Sequence, residues 1–387
     1  MISIILICIC LMSNNYKIDG RMMESISQDD DLELDNQLKL INKPPLKTIQ
    51  TVFGHIVDCV DINKQLAFDN PLLKNHKIQL KPSFQHGRTT LDENQRSATL
   101  SIEEDLCPIG TIPIRRTTKD DLIRLKHLSN NNGMLIEEVE GSHFAAVNLN
   151  GADRYYGIKG NINTYNPTVA SKEQMSGAYI SLAKGPSQVR NRIMAGWQVY
   201  PKIQGDVQTY FFIAWENKQN QTGCYNLQCP GFVQIDKKFH IGSPITSTST
   251  FGGQQFEMSV AILLDPTTNN WWVRLEDKNL GYFPSTIFSD MSYADEGGWY
   301  GRTMTTLGNP SPPMGSGHFP DDRFGHACFI RQMTFQNETR KDIPPEMKLV
   351  GIYKDNPSCY DVKYTGYVDK SLGYAMQFGG PGGNCGD

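Results

Sequence analysis

Phe256, Met258, Val260, Ile262 and Leu264 stand at every second position of one stretch, with Glu257, Ser259, Ala261 and Leu263 between them. A period of two belongs to a strand with one apolar face, because a helix would scatter these five side chains around its axis. Asp265-Pro266-Thr267-Thr268-Asn269-Asn270 follows with residues suited to a turn, and Trp271, Val273 and Leu275 resume the alternation. The spacing predicts a β-hairpin. Shorter runs of the same kind lie at 143–149, 155–162, 178–183, 207–215 and 347–353. Many short strands, separated by segments drawing on 34 Gly and 21 Pro, predict an all-β fold, an antiparallel β-sandwich.

The exception lies upstream. Between 118 and 128, Leu122, Ile123, Leu125 and Leu128 recur at helical spacing, with Thr118 as N-cap and Asp121 as its acidic partner three residues on. The run Ser129-Asn130-Asn131-Asn132-Gly133 then ends the helix and marks a domain boundary. The expected organisation is a signal peptide over 1–20, a flexible polar lead over 21–50, a smaller mixed unit with one helix over 51–133, and the sandwich over 134–387.

A net charge of -4 over 387 residues argues against nucleic acid or an anionic membrane as partner. The apolar run from Ile2 to Met12 is too short to span a bilayer and reads as a signal-peptide core, although no Lys or Arg precedes it. Cuts after Ser13 or Gly20 are the candidates. Secretion to the extracellular space or cell wall places the remaining cysteines in an oxidising compartment. There the expected pairs are Cys59 with Cys107, Cys224 with Cys229 and Cys359 with Cys385, leaving Cys328 free in an apolar stretch. A zinc site from Cys224, Cys229 and His240 lacks a fourth ligand and a suitable spacing, so neither metal nor cofactor is expected. Asn220-Gln221-Thr222 and Asn337-Glu338-Thr339 are glycosylation sequons.

Specific motifs extend through most of the chain. Cys107-Pro108-Ile109-Gly110-Thr111-Ile112-Pro113-Ile114-Arg115-Arg116 resembles the signature of the neprosin activation peptide. Ala195-Gly196-Trp197-Gln198-Val199-Tyr200-Pro201, Gly223-Cys224-Tyr225-Asn226-Leu227, Cys229-Pro230-Gly231-Phe232-Val233-Gln234, Asn270-Trp271-Trp272, Gly281-Tyr282-Phe283-Pro284, Met314-Gly315-Ser316-Gly317-His318-Phe319 and Gly379-Gly380-Pro381-Gly382 resemble the neprosin family in its own order. The resemblance implies a secreted plant protein whose propeptide covers a β-sandwich glutamic peptidase that cuts after proline in acid. Such chemistry needs two carboxyls, one to take a proton from water and one, kept protonated, to polarise the amide or protonate the leaving nitrogen.

At both glutamate positions this chain departs from the family. Where the family has I-E-A-G-W, the chain reads Ile193-Met194-Ala195-Gly196-Trp197, and where it has W-G-G-E, the chain reads Glu296-Gly297-Gly298-Trp299. Neither the Met194 thioether nor the Trp299 indole exchanges a proton with water at ordinary pH. Glu296 is the candidate displaced acid, but its odd offset from Trp299 puts the two on opposite faces, so Glu296 is expected to point away from the cleft. Glu257 reads as a solvated acid on the polar face of its strand. His318, His326, Asp321 and Asp322 read as loop residues bonded locally rather than as a metal site or charge relay.

Three functions remain in play. The first is a non-catalytic neprosin-like protein whose cleft binds a peptide or cell-wall polymer, with its own prodomain as a further partner. The second is an active prolyl endopeptidase using Glu296. The third is a carbohydrate-binding or glycoside-cleaving sandwich, in which Trp197, Trp271, Trp272 and Trp299 would stack on sugars. Against that last idea stands core packing of the tryptophans.

Overall fold

The computed structural model describes residues 28–84, 96–97, 107–129, 140–150 and 154–386. The signal segment, Cys8, Cys10 and the boundary run Asn130–Gly133 therefore lie outside the described residues. The N-terminal segment carries α1 (Gln28–Ile41), β1 (Pro45–Gln50), β2 (Ile56–Asp61), β3 (Arg96–Ser97), β4 (Thr111–Arg115) and α2 (Lys119–Ser129). Next come β5 (Ser142–Leu149), β6 (Gly157–Asn163), β7 (Met175–Lys184), β8 (Asn191–Val199), α3 (Pro201–Gln204), β9 (Tyr210–Asn217) and β10 (Thr222–Tyr225). They are followed by β11 (Val233–Gln234), β12 (Phe256–Leu264), β13 (Trp271–Leu275), β14 (Lys278–Phe283) and β15 (Glu296–Met304). The chain ends with β16 (Cys328–Gln336), β17 (Asp342–Ile343), β18 (Val350–Lys354), β19 (Asp361–Tyr367) and β20 (Tyr374–Gly379).

β1, β2 and β4 form a small sheet of their own. The remaining strands build two facing sheets, one of seven strands in the order β10-β9-β8-β7-β15-β5-β18 and one of ten led by β11-β14-β13-β12-β6-β16-β20-β19. Pairing within both is antiparallel apart from β3, which lies parallel to the start of β12. The fold class is the β-sandwich that the alternation predicts. The hairpin of β12 and β13 closes because Asp265 accepts from the backbone of Thr267 (2.9 Å) and Thr268 (3.1 Å), while Asn269 takes a left-handed φ of 56°.

The space between the sheets is filled by alternate residues of both. Trp197 on β8 and Trp299 on β15 reach across it to donate to the carbonyls of Asn163 (2.9 Å) and Lys159 (2.8 Å) on β6. Trp271 donates to the carbonyl of Met291 at 2.7 Å. Each bond removes an orphaned donor that would cost about 1–3 kcal/mol in this interior.

α2 begins as expected: the Thr118 hydroxyl accepts from Asp121 N (3.1 Å), and the Asp121 carboxylate accepts from Thr118 N (2.9 Å). The flexible lead expected over 21–50 is corrected where the structure describes it, since α1 and β1 occupy most of that stretch. α1 is held from outside rather than by its own composition. Leu34 is buried, Asn42 exchanges two hydrogen bonds with the Thr117 backbone (2.8 and 2.9 Å), and Lys119 pairs with Asp31 and Asp35.

Candidate functional site

Which side chains can meet a ligand is decided by strand parity. β15 pairs with β7 without a register shift from Glu296↔Ala183 to Met304↔Met175, so its residues alternate strictly between faces. Trp299 takes the inner face and is fully buried in the core. Glu296, Gly298, Tyr300 and Arg302 consequently share the outer face. On β8, Ile193, Ala195 and Trp197 fill the core, which turns Arg192, Met194, Gly196 and Gln198 outward.

The expected orientation is therefore corrected. Glu296 and Met194 lie on one face of the seven-stranded sheet, and Trp299 is on the other. The indole fills the space between the sheets rather than a cleft. The reason is energetic: with E-G-G-W in a regular strand, burial of the largest apolar side chain leaves the carboxylate on the outer surface.

On this outer face Met194 sits in an apolar cluster with Tyr179, Phe212, Ala214 and Tyr225. Beside it Tyr179 stacks on Tyr300, with centroids 5.1 Å apart and planes at 14°. A polar cleft of about 350 Å³ adjoins the stack, with Glu296, Arg190, Arg192, Ser181 and Asn148 in its walls. Arg190 Nη2 lies 3.3 Å from Glu296 Oε1, and Glu296 is about half exposed, at 51%. Arg192 Nε lies 3.4 Å from Oε1 of Glu216, a fully buried acid. In register, Glu296, Ala183, Arg192 and Glu216 form one row across four strands. Glu216 is the site residue that the sequence reading misses. The alternation Phe211, Ile213, Trp215 against Phe212, Ala214, Glu216 carries the signal.

Other candidates stand elsewhere. Glu257, expected to be solvated, is buried on β12 and accepts from Arg331 Nε at 2.6 Å. Burial pushes its carboxyl above the usual range, and Arg331 opposes that shift. His326 bonds Asp321 at 2.7 Å, Asp322 pairs with Lys363, and the Phe251 ring packs against those of both His318 and His326. No cluster of potential metal ligands occurs among the described residues. Cys224 and Cys229 are joined to each other, as are Cys59 with Cys107 and Cys359 with Cys385, while Cys328 is free and buried. The zinc alternative loses its thiolates. Trp197, Trp271, Trp272 and Trp299 are all fully buried, so none offers a face to a sugar. Asn220 is exposed at a hairpin end, and Asn337 accepts from its own sequon hydroxyl on Thr339 at 2.8 Å. Among the described residues no helix is long and apolar enough to cross a membrane.

Comparison with known proteins adds the family. Among solved structures, the chain is similar to scytalido-glutamic peptidase bound to a peptide-based transition-state analogue (11% identity, TM-score 0.34, covering 62% of this chain and 98% of that one). It is also similar to SCP-B, a member of the eqolisin family of peptidases (9% identity, TM-score 0.32, 62% and 98%), and to CG-16, a homodimeric agglutinin from chicken liver (10% identity, TM-score 0.21, 41% and 90%). The family model of the neprosin activation peptide matches residues 48–151, and that of neprosin matches residues 172–381. With more than half of its residues inside the second match and the activation-peptide match ahead of it, the chain belongs to the neprosin family.

Proposed function

We propose that this chain is a secreted neprosin-family protein that has lost glutamic-peptidase chemistry and whose cleft binds a peptide or cell-wall polymer without cutting it. The observation that carries the reading is the row through Met194. Ala214, Met194, Ser181 and Gly298 lie in register across four strands of the outer face, and none can act as general acid or base at ordinary pH. The acids these strands do present outward, Glu296 and Glu216, sit at the ends of the neighbouring row. Three strand spacings separate their backbones, about 14 Å, too far for two carboxyls to share one proton and one water. The three disulfides support an extracellular setting.

The test is hydrolysis of proline-containing peptides from about pH 2 to pH 7, the range of carboxyl titration. The purified protein, before and after acid treatment, is expected to show no turnover above buffer. Turnover of any kind refutes the reading. Turnover lost in Glu296→Gln would establish the second reading, a displaced catalytic acid, which the cleft-facing position of Glu296 supports. The ligand class is separated by competition. A protein retained on cell-wall material is released by soluble prolyl peptide in one case and by soluble polysaccharide in the other.

A further inference from the structure

A sheet edge offers its outward backbone groups to any passing strand unless something blocks it. Most edges of this sandwich are blocked. β10 turns back on itself, with Gln228 N donating to Tyr225 O (3.3 Å) and the Cys224–Cys229 disulfide closing the loop. β11 is met in the full chain by Gln65, which accepts from Gln234 N (2.8 Å) and donates Nε2 to Gln234 O (3.2 Å). β19 is bent by a bulge between Tyr364 and Gly366, where Gly366 takes a φ of 67°. β18, the last strand of the seven-stranded sheet, has none of these devices. Its register with β5 runs unbroken from Val350↔Leu149 to Lys354↔Ala145, and its sequence V-G-I-Y-K contains no proline.

Parity decides which of its groups are open. Asn150 N donates to Leu349 O (2.8 Å), so Gly351 and Tyr353 turn their backbones to β5, while Val350, Ile352 and Lys354 turn theirs away. Val350 N is taken by Met347 O. That leaves, among the described residues, Val350 O and both backbone groups of Ile352 and Lys354 facing outward. The side chains of Ile352 and Tyr353 are about half exposed, at 49% and 48%.

We propose that β18 pairs antiparallel with β18 of a second copy about a two-fold axis at Ile352. In that register the strand is complementary to itself. Ile352 N donates to O of the partner's Ile352, and Lys354 N to O of the partner's Val350, each twice by symmetry. Gly351 faces the partner's Tyr353, whose ring covers its bare backbone. The two Lys354 residues stand at opposite ends, about 14 Å apart, and each already pairs with Asp361 of its own chain at 2.6 Å, so like charges do not meet. The pairing also reaches the cleft. Tyr353 lines it, and Gly351 ends the row of Met194, Ser181, Gly298 and Asn148. The partner's Tyr353 stands at the open end of that row, so each copy supplies part of a wall to the other's cleft. The pairing itself does not depend on what the cleft binds.

A strand of this length makes an interface below standard size, so half-association is expected on the order of 10–100 µM. Sedimentation velocity of the full chain at pH 7, from about 1 µM to about 500 µM, is expected to show the mass rising towards twice that of the monomer. Ile352→Lys and Ile352→Glu each place like charges opposite one another across the axis and are expected to weaken association roughly tenfold or more. An equal mixture of the two is expected to regain it, because residue 352 meets itself only in this register. Leu307→Lys, at another exposed apolar position, leaves association unchanged. A wild-type chain that stays monomeric throughout, as it would if a strand of a different protein were the occupant, overturns the proposal, and so does a mixture no more associated than its components. Should either variant fail to fold, Ile352→Pro decides: it removes the outward N–H and leaves the ladder with β5 intact, and association at wild-type strength then overturns the pairing.

Discussion

Trp299→Glu separates two views of the second glutamate position. If that position faced the cleft, the substitution would return an acid to the site at little cost. The structure places the side chain between the sheets, fully buried and bonded to the Lys159 carbonyl at 2.8 Å. Truncating a buried aromatic of this size costs about 3–5 kcal/mol. Holding a carboxyl in its place raises its pKa by roughly 3–5 units, so it stays protonated in the folded state, which adds about 3–4 kcal/mol at pH 7. The total is comparable to the 5–15 kcal/mol (about the whole stability) of a typical domain. Denaturant unfolding is therefore expected to find Trp299→Glu largely unfolded at pH 7. A raised folded pKa means that stability is lost as pH rises from the ordinary carboxyl value, so the variant is expected to be less impaired near pH 4. Trp299→Phe keeps most of the volume, loses the indole's hydrogen bond to Lys159 O and is expected to cost about 1–3 kcal/mol. A Trp299→Glu protein with the wild-type midpoint at pH 7, and a new carboxyl titrating near its ordinary value, would refute the burial argument.

Two further outcomes follow from buried charge. His240, buried with neither ring nitrogen hydrogen-bonded and facing His55 and Arg115, is pushed down to about 4, chiefly by burial and then by repulsion from those two groups. Its folded pKa lies below the unfolded value, so it contributes stability above about pH 6.5 that is lost towards pH 4, about 3 kcal/mol in all; His240→Phe should flatten that slope in unfolding measured from pH 7 to pH 4, and an unchanged slope counts against it. Arg331→Ala strands buried Glu257 and is expected to lower stability by about 3–5 kcal/mol, whereas the double change Arg331→Met with Glu257→Leu should recover most of the loss; equal losses in both variants would show that the pair itself is not at issue.

Much of the architecture was legible because it rests on side-chain period. The alternation in 256–264 and 271–275 became β12 and β13, and the Thr118–Asp121 cap became the start of α2. α1 was not legible, because its own sequence has little apolar stripe and its order comes from Asn42, Leu34 and Lys119 meeting partners distant in the chain. The site was half legible. Motif order locates Met194 and Trp299 along the chain, but a motif does not state which face a residue takes. That information was present in the residues around them: Glu296, Tyr300 and Arg302 share one parity, Gly297, Trp299 and Gly301 the other, and the charged set had to be the outer one. Glu257 shows the converse. An acid on the polar side of a strand looked solvated because Arg331, 74 residues away, left no local trace of the pairing.

Parity also explains why an acid on the cleft face need not restore chemistry. In the family's order W-G-G-E, a core tryptophan puts the glutamate three residues later on the outer face; in E-G-G-W, a core Trp299 puts Glu296 three residues earlier, also on the outer face. The exchange keeps one indole inside and one carboxyl outside, so the strand still packs. What it changes is position along the strand: Glu296 stands two residues, about 7 Å, from Gly298 in the row of Met194. Misplacing a catalytic group by about 1 Å is enough to cost on the order of a hundredfold. Glu296 stands instead in the row of Ala183 and Arg192, beside Arg190 and one step along from the row of Met194, Ser181 and Gly298. Gly298 cannot be converted into the missing acid, because a Cβ there would meet the Val147 carbonyl at 2.6 Å. Met194→Glu alone would add one carboxyl to an apolar cluster and leave the second about two strands and one step away. Substitutions at the two motif positions therefore cannot rebuild the dyad on this backbone: one position faces the core, and the position beside it has no room for a side chain.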